Sequence, residues 1–162
     1  MRPAPPDFDR KICPPDALLE RLPALARPLV FTNGVFDVLH RGHVTYLAES
    51  RALGASMVVA LNSDSSVRRL GKGADRPINP LEDRLAVLAA LESVSLVTWF
   101  EEDTPLDLIH TCRPDVLVKG GDWPAERIVG ATDVLGWGGS VHSIPFRFDR
   151  STTTLLSRIR KS

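Results

Sequence analysis

Apolar residues in this chain gather into short runs separated by longer amphipathic stretches. Five runs have the length of strands: Leu29-Val30-Phe31, Met57 to Leu61, Val94 to Trp99, Asp115 to Val118 and Ser140 to Ile144. They are continuous rather than alternating, which suits strands covered on both faces. Between them the spacing is helical. Val44, Leu47 and Leu53 mark one helix, and Leu81, Leu85 and Leu88 mark another, introduced by Pro80. Leu108, Ile109 and Cys112 mark a third, with Pro105 near its first turn, where a missing N–H is harmless. Leu155, Leu156 and Ile159 mark the last. Asp16 to Leu25 reads as a short helix with Asp16 as its cap. Residues 1 to 14 carry four prolines and read as a mobile or draped arm. Alternation of strand and helix predicts an α/β, Rossmann-like fold: a parallel five-stranded sheet with helices on both faces and right-handed crossovers. The expected division is an arm and short helix over residues 1–27 and one domain over 28–162.

Composition narrows the function. A chain of 162 residues suits one domain of ordinary size. No apolar run approaches the roughly 18 residues that cross a bilayer. The N-terminus lacks the apolar core of a signal peptide, so a cytoplasmic location is expected, away from membranes. The 20 basic and 20 acidic residues cancel, which argues against nucleic acid as a partner. Arg158, Arg160 and Lys161 read as a solvated helix end. Cys13 and Cys112 show no metal spacing and are expected to be free thiols.

Ligands of open α/β sheets bind beyond the carboxyl ends of the strands. Asn33-Gly34-Val35-Phe36-Asp37 and His40-Arg41-Gly42-His43 follow the first strand. Asn62-Ser63-Asp64 follow the second, and Lys119-Gly120-Gly121-Asp122-Trp123 the fourth. Arg147, Arg150, Ser151, Thr152 and Thr153 follow the fifth. The third is followed by Glu101-Glu102-Asp103-Thr104, which reads as a helix cap. Convergence of glycine, hydroxyl and basic residues on one edge points to a polyphosphate.

His40 and His43 lie three apart, so at a helix start both imidazoles share one face. Gly42 leaves room for a phosphate, and the helix N-terminus adds N–H donors. Two imidazoles there can donate to phosphoryl oxygens as their charge rises. The plainer alternative is one capping and one packed histidine. Ser151-Thr152-Thr153-Thr154 can cap the last helix, bind an anion, or do both. Lys119 can serve as a point charge on phosphate or sit in a turn. Arg84, on a helix, faces solvent by default.

The stretch from Asn33 to His43, pairing G-x-F-D with H-x-G-H, resembles the signature of the cytidylyltransferase-like nucleotidyltransferases. Further segments match in order: Asn62-Ser63-Asp64, Arg76 to Arg84, Phe100 to Pro105, Val118 to Asp122 and Ser151-Thr152-Thr153. Within that superfamily the set is most similar to the adenylyltransferases that make ADP-heptose for bacterial lipopolysaccharide, over roughly residues 28–160. In many bacteria that domain follows a sugar kinase, and this chain resembles the stand-alone form.

The resemblance implies transfer of AMP from ATP to D-glycero-D-manno-heptose 1-phosphate, with Mg²⁺ and release of pyrophosphate. It implies that His40, His43 and Lys119 are catalytic. It implies that Asn33, Gly34, Val35, Phe36, Asp37, Gly42, Arg84, Gly120, Gly121, Asp122, Arg147, Arg150, Ser151, Thr152 and Thr153 bind the nucleotide. Asn62, Asp64 and Lys72 are candidates for the sugar phosphate, with Lys119 an alternative there. No protein cage for a metal is expected; Asp37 orients the signature loop or assists the metal. The family's last motif reads R-x-x-x-S-T-T. Arg147 meets that spacing and Arg150 directly precedes Ser151, so both remain candidates. The resemblance further implies a homodimer and a separate heptose kinase acting upstream. Two other readings stay open: a cytidylyltransferase for glycerol 3-phosphate or a similar alcohol phosphate, and an ATP-sensing module without turnover.

Overall fold

Strands β1 (Leu29–Gly34), β2 (Ser56–Asn62), β3 (Leu96–Phe100), β4 (Val116–Gly120) and β5 (Ser140–Ile144) form one parallel sheet. The computed structural model describes residues 4, 6–71, 73–148 and 152–161. The strand order is β3-β2-β1-β4-β5. The chain starts at the centre, winds outward through β2 to β3, then returns to β4 and winds outward the other way.

Right-handed crossovers on a reversed path must cover opposite faces, and the cores show that arrangement. Helices α2 (Arg41–Arg51) and α4 (Leu81–Ala89) pack Tyr46, Leu47, Leu85 and Leu88 against Val30, Met57 and Val59. On the other face, α1 (Leu18–Arg21), α5 (Leu106–Cys112) and α6 (Ala131–Gly136) pack Leu18, Ile109, Cys112 and Val134 against Leu29, Phe31 and Val58. Neighbouring strand residues therefore enter different apolar cores. That explains runs without polar alternation.

The helix from Asp16 to Leu25 is a relay: a 3₁₀ turn at Pro15–Ala17, then α1, then a 3₁₀ turn at Leu22–Ala24. Asp16 lies inside the first turn and its side chain caps nothing. The preceding segment drapes over the β3 edge. The Cys13 N–H donates to the Val97 carbonyl at 2.8 Å, and Ile12 forms a single bridge with Val97. Cys13 and Leu18 are fully buried in the core shared with β1. Both cysteines are free.

Several boundaries moved. β1 runs on through Thr32 and Asn33 because it pairs with β2 as far as Gly34. β4 takes in Lys119 and Gly120 but not Asp115, whose carboxylate accepts from the Leu29 N–H and pairs with Arg27. Two short helices, α3 (Asp64–Arg69) and α6, carry too few apolar residues to show a period. Ser63 caps α3 by accepting from the Ser66 N–H. The acidic loop does not cap its own helix; Glu101 accepts from the Ser63 and Ser65 hydroxyls at the α3 start. On α2 the buried positions are Gly42, Tyr46, Leu47 and Ser50. Val44 on α2 and Leu53 just beyond it are exposed, so of the three apolar markers only Leu47 enters the core. Among the described residues no helix is long and apolar enough to cross a membrane.

Candidate active site

The strand order sets β1 beside β4 where the winding reverses, and a crevice opens beyond their carboxyl ends. A cleft of 620 Å³ lies there. Its walls include Asn33 to Asp37, His40, His43, Lys119, Gly120, Thr152 and Thr153, together with Tyr46, Arg76, Trp123 and Phe146.

The signature loop is shaped by Gly34 and Phe36. Phe36 has φ of 46°, the left-handed region that L side chains rarely occupy. Its ring folds back over Gly34, where an added Cβ would lie 2.8 Å from ring carbon Cε2. The glycine of G-x-F-D is therefore room for the phenylalanine.

His40 occupies the N-cap position of α2 and His43 lies in its first turn. Their rings stack with centroids 3.8 Å apart and planes 23° apart. His40 makes no side-chain capping hydrogen bond, so the plainer alternative does not hold for it. His43 Nδ1 is buried and makes no hydrogen bond among the described residues. Burial first and the neighbouring His40 second push the His43 pKa down to about 4, against the opposing Val38 carbonyl. The space beside Gly42 belongs to the His40 ring, 3.0 Å from an added Cβ, rather than to an approaching ligand. Arg41 stacks outward over the Phe148 ring.

Asp37 is buried and turned onto the loop ahead of α4. Its carboxylate accepts from Arg76 Nε at 2.6 Å and from the Ile78 and Asn79 N–H groups at 2.9 Å. Burial raises its pKa, but these hydrogen bonds together outweigh that and hold the carboxyl below its ordinary value. Its lone pairs are taken, which does not fit a metal ligand. Among the described residues no group of three or more His, Cys, Asp or Glu side chains could hold a metal.

Arg84 does not face solvent. It is 2% exposed and donates to the carbonyls of Asn79, Val35 and Asn62 and to the Asp64 carboxylate. It ties the ends of β1 and β2 to α4 from behind the cleft. That arrangement commits Asp64, while Asn62 is buried and donates to Ser66. Neither Asn62, Asp64 nor Arg84 lines the cleft, because their polar groups are spent inside the knot. Arg147 is exposed and pairs with Glu49 at 2.6 Å, away from the cleft lining. Gly121 has φ of 110° and carries the turn that leads to Trp123, while Asp122 is exposed. Thr152 donates to the Val38 carbonyl at 3.4 Å, joining helix α7 (Thr152–Arg160) to the signature loop. Lys72, Arg150 and Ser151 lie outside the described residues.

Sequence reasoning missed the roles of Tyr46, Arg76, Trp123 and Phe146. Tyr46 donates or accepts at Thr32 Oγ1, 2.5 Å away, and burial pushes its pKa up to about 12. Gly120 lies beneath Phe146, whose ring would meet an added Cβ at 2.7 Å. Arg76 was visible only as part of a matching string; its partner lies 39 positions earlier.

The model of the cytidylyltransferase-like family matches residues 31–144. This chain belongs to the cytidylyltransferase-like family. Family membership accounts for the parallel sheet with helices on both faces. The chain is 56% identical over 156 residues to a D-beta-D-heptose 1-phosphate adenylyltransferase of Bordetella bronchiseptica, covering 95% of this chain and 96% of that protein. It is also 56% identical over 133 residues to the bifunctional protein HldE of Hahella chejuensis, covering 82% of this chain. It spans only 28% of that longer relative. Among solved structures, a lipopolysaccharide core biosynthesis protein of Thermoplasma volcanium superposes with a TM-score of 0.60 at 30% identity. That match covers 75% of this chain and 98% of the other.

Proposed function

We propose that this family member is an adenylyltransferase that moves AMP from ATP onto D-glycero-D-manno-heptose 1-phosphate. The products are ADP-heptose, for lipopolysaccharide core synthesis, and pyrophosphate. The observation that carries this reading is the end-to-end likeness to a heptose 1-phosphate adenylyltransferase, 56% identical across 95% of this chain.

The cleft suits that chemistry. An ionised oxygen of the sugar phosphate attacks the α-phosphorus of ATP in line. One P–O bond forms as the bond to pyrophosphate breaks, so no proton must move and no general base is needed. Catalysis is then positioning and stabilisation of charge. His43, with its pKa near 4, is neutral at pH 7 and donates through an imidazole N–H. His40 stacks beside it on the same helix start, where backbone N–H groups also favour an anion. Lys119 places a positive charge at the β4 end of the same cleft. Thr153 and Thr152, with Arg150 and Ser151, are assigned to the β- and γ-phosphates. Trp123 and Phe146 wall the side of the cleft assigned to the nucleoside. Mg²⁺ enters as the complex with ATP, held by the triphosphate. Asp37 is assigned to loop positioning. The same reading places the reaction in the cytoplasm, where ATP is supplied, in a homodimer fed by a separate heptose kinase.

The test offers pure protein each nucleoside triphosphate with heptose 1-phosphate or glycerol 3-phosphate and measures pyrophosphate. Release with ATP and the heptose is expected. Release confined to CTP, or ATP binding without any release, overturns the assignment.

A further inference from the structure

Arg76 combines burial with an open end. It is 7% exposed, yet it lines the cleft. Its Nε donates to Asp37 at 2.6 Å, and Asp37 is clamped in turn by the Ile78 and Asn79 N–H groups. The aspartate cannot swing away, so the guanidinium is gripped by its inner edge. The terminal nitrogens Nη1 and Nη2 have no hydrogen-bond partner among the described residues, and neither is a sealed buried atom.

Nearly buried donors are costly when unmatched, because the fold has taken them from water. A guanidinium held at Nε still presents two parallel N–H groups. That fork matches two oxygens of a phosphoryl group, as a lysine's point charge does not. The neighbouring acidic group does not compete for the fork: the Asp37 carboxylate is saturated on the loop side.

We propose that Arg76 is a phosphoryl-binding residue of the cleft and that Asp37 is its positioning residue. The buried ion pair then serves as a preset receptor for a phosphate, and the aspartate of G-x-F-D acts on the substrate through Arg76. The identity of the phosphate rests on the adenylyltransferase reading: it belongs either to ATP or to the sugar 1-phosphate.

The test uses the full chain with Arg76→Gln, Arg76→Lys, Asp37→Asn and the double variant Asp37→Asn/Arg76→Gln. Thermal melting checks the fold, and Arg76→Lys keeps a cation against Asp37 should Arg76→Gln unfold. Calorimetry with inorganic phosphate and with MgATP reads binding without turnover, so it stands even where heptose 1-phosphate proves not to be a substrate. The expected result is a loss of affinity of about tenfold or more for Arg76→Gln, with a smaller loss for Arg76→Lys. Loss in the MgATP dissociation constant assigns the phosphoryl to the nucleotide. Loss for inorganic phosphate with a raised KM for heptose 1-phosphate, at unchanged MgATP affinity, assigns it to the acceptor. Unchanged affinity for both probes in folded Arg76 variants overturns the proposal. For Asp37, the double variant should bind no more weakly than Arg76→Gln alone. Losses that simply add overturn the positioning role.

Discussion

The imidazole rings of His40 and His43 lie stacked at 3.8 Å, one at the N-cap and one in the first turn of the same helix. Two rings that close, in a partly closed cleft, do not readily share two positive charges. Burial first and His40 second hold His43 near pKa 4. His43 is therefore uncharged at neutral pH, the form in which the proposed reaction would use it as a hydrogen-bond donor.

Removal of either ring should reveal that role. His40→Ala and His43→Ala are each expected to lower kcat by about 10²-fold, as loss of a transition-state donor does. KM for ATP should change less than kcat. Full turnover in a folded double variant would refute the catalytic assignment.

The shifted pKa also makes a statement about stability. The folded value, about 4, lies below the ordinary value of 6.5. Between these the unfolded chain holds the extra proton, so stability falls as pH drops through that window. The full contribution is present above pH 6.5, and about 3 kcal/mol is lost on reaching pH 4. Urea unfolding at pH 7 and pH 4 measures it. An NMR titration of His40→Ala should show His43 moving upward but short of 6.5, since burial persists. A midpoint already near 6.5 in the unaltered protein would contradict the geometry.

Arg84 should matter for the fold more than for the substrate. Arg84→Met leaves the Val35 and Asn62 carbonyls without their donor and Asp64 without its partner. A loss of about 3 kcal/mol is expected by chemical denaturation. The fraction that remains folded should still bind ATP. Abolished ATP binding at unchanged stability would place Arg84 in the cleft instead.

Gly34→Ala tests the loop. Its new methyl would sit 2.8 Å from the Phe36 ring, and Phe36 is already held at positive φ. We expect a cost of about 1–3 kcal/mol from overpacking, with a disproportionate fall in kcat as the histidines shift. Unchanged kcat would show that the loop gives way without moving them.

Trp123 provides an optical readout. Its ring is 49% exposed at the cleft wall. Addition of ATP should quench tryptophan emission, and Trp123→Phe should remove that response. A persistent response would assign the signal to Trp99 or Trp137.

Much of the site was legible because its chemistry is local. Asn33 to His43 is one strand end, one turn and one helix start, so spacing alone puts the two rings on one face. Lys119 and Thr152 belong to strand and helix ends that the apolar pattern located. Arg84 and Arg76 were not legible in this way. Nothing in a helical period marks Arg84 as buried, because three of its four acceptors are backbone carbonyls, which look the same in every sequence. Arg76 acquires its place only through Asp37, 39 residues earlier.

The sequence by itself determined the parallel sheet. Doubly covered strands need unbroken apolar runs, and helices between them leave parallel pairing as the connection. It also determined that glycine, histidine and hydroxyl groups follow those strands. Only the tertiary structure decided which of those groups meet. The reversal of winding after β3 brought β4 beside β1, and so placed Lys119 in the same cleft as the histidines. It also turned Arg84, Asn62 and Asp64 inward, where buried polar groups must find partners, and left the free edge of Arg76 in the cleft. Spacing along a chain states what a segment can present; packing states which neighbours have already claimed it.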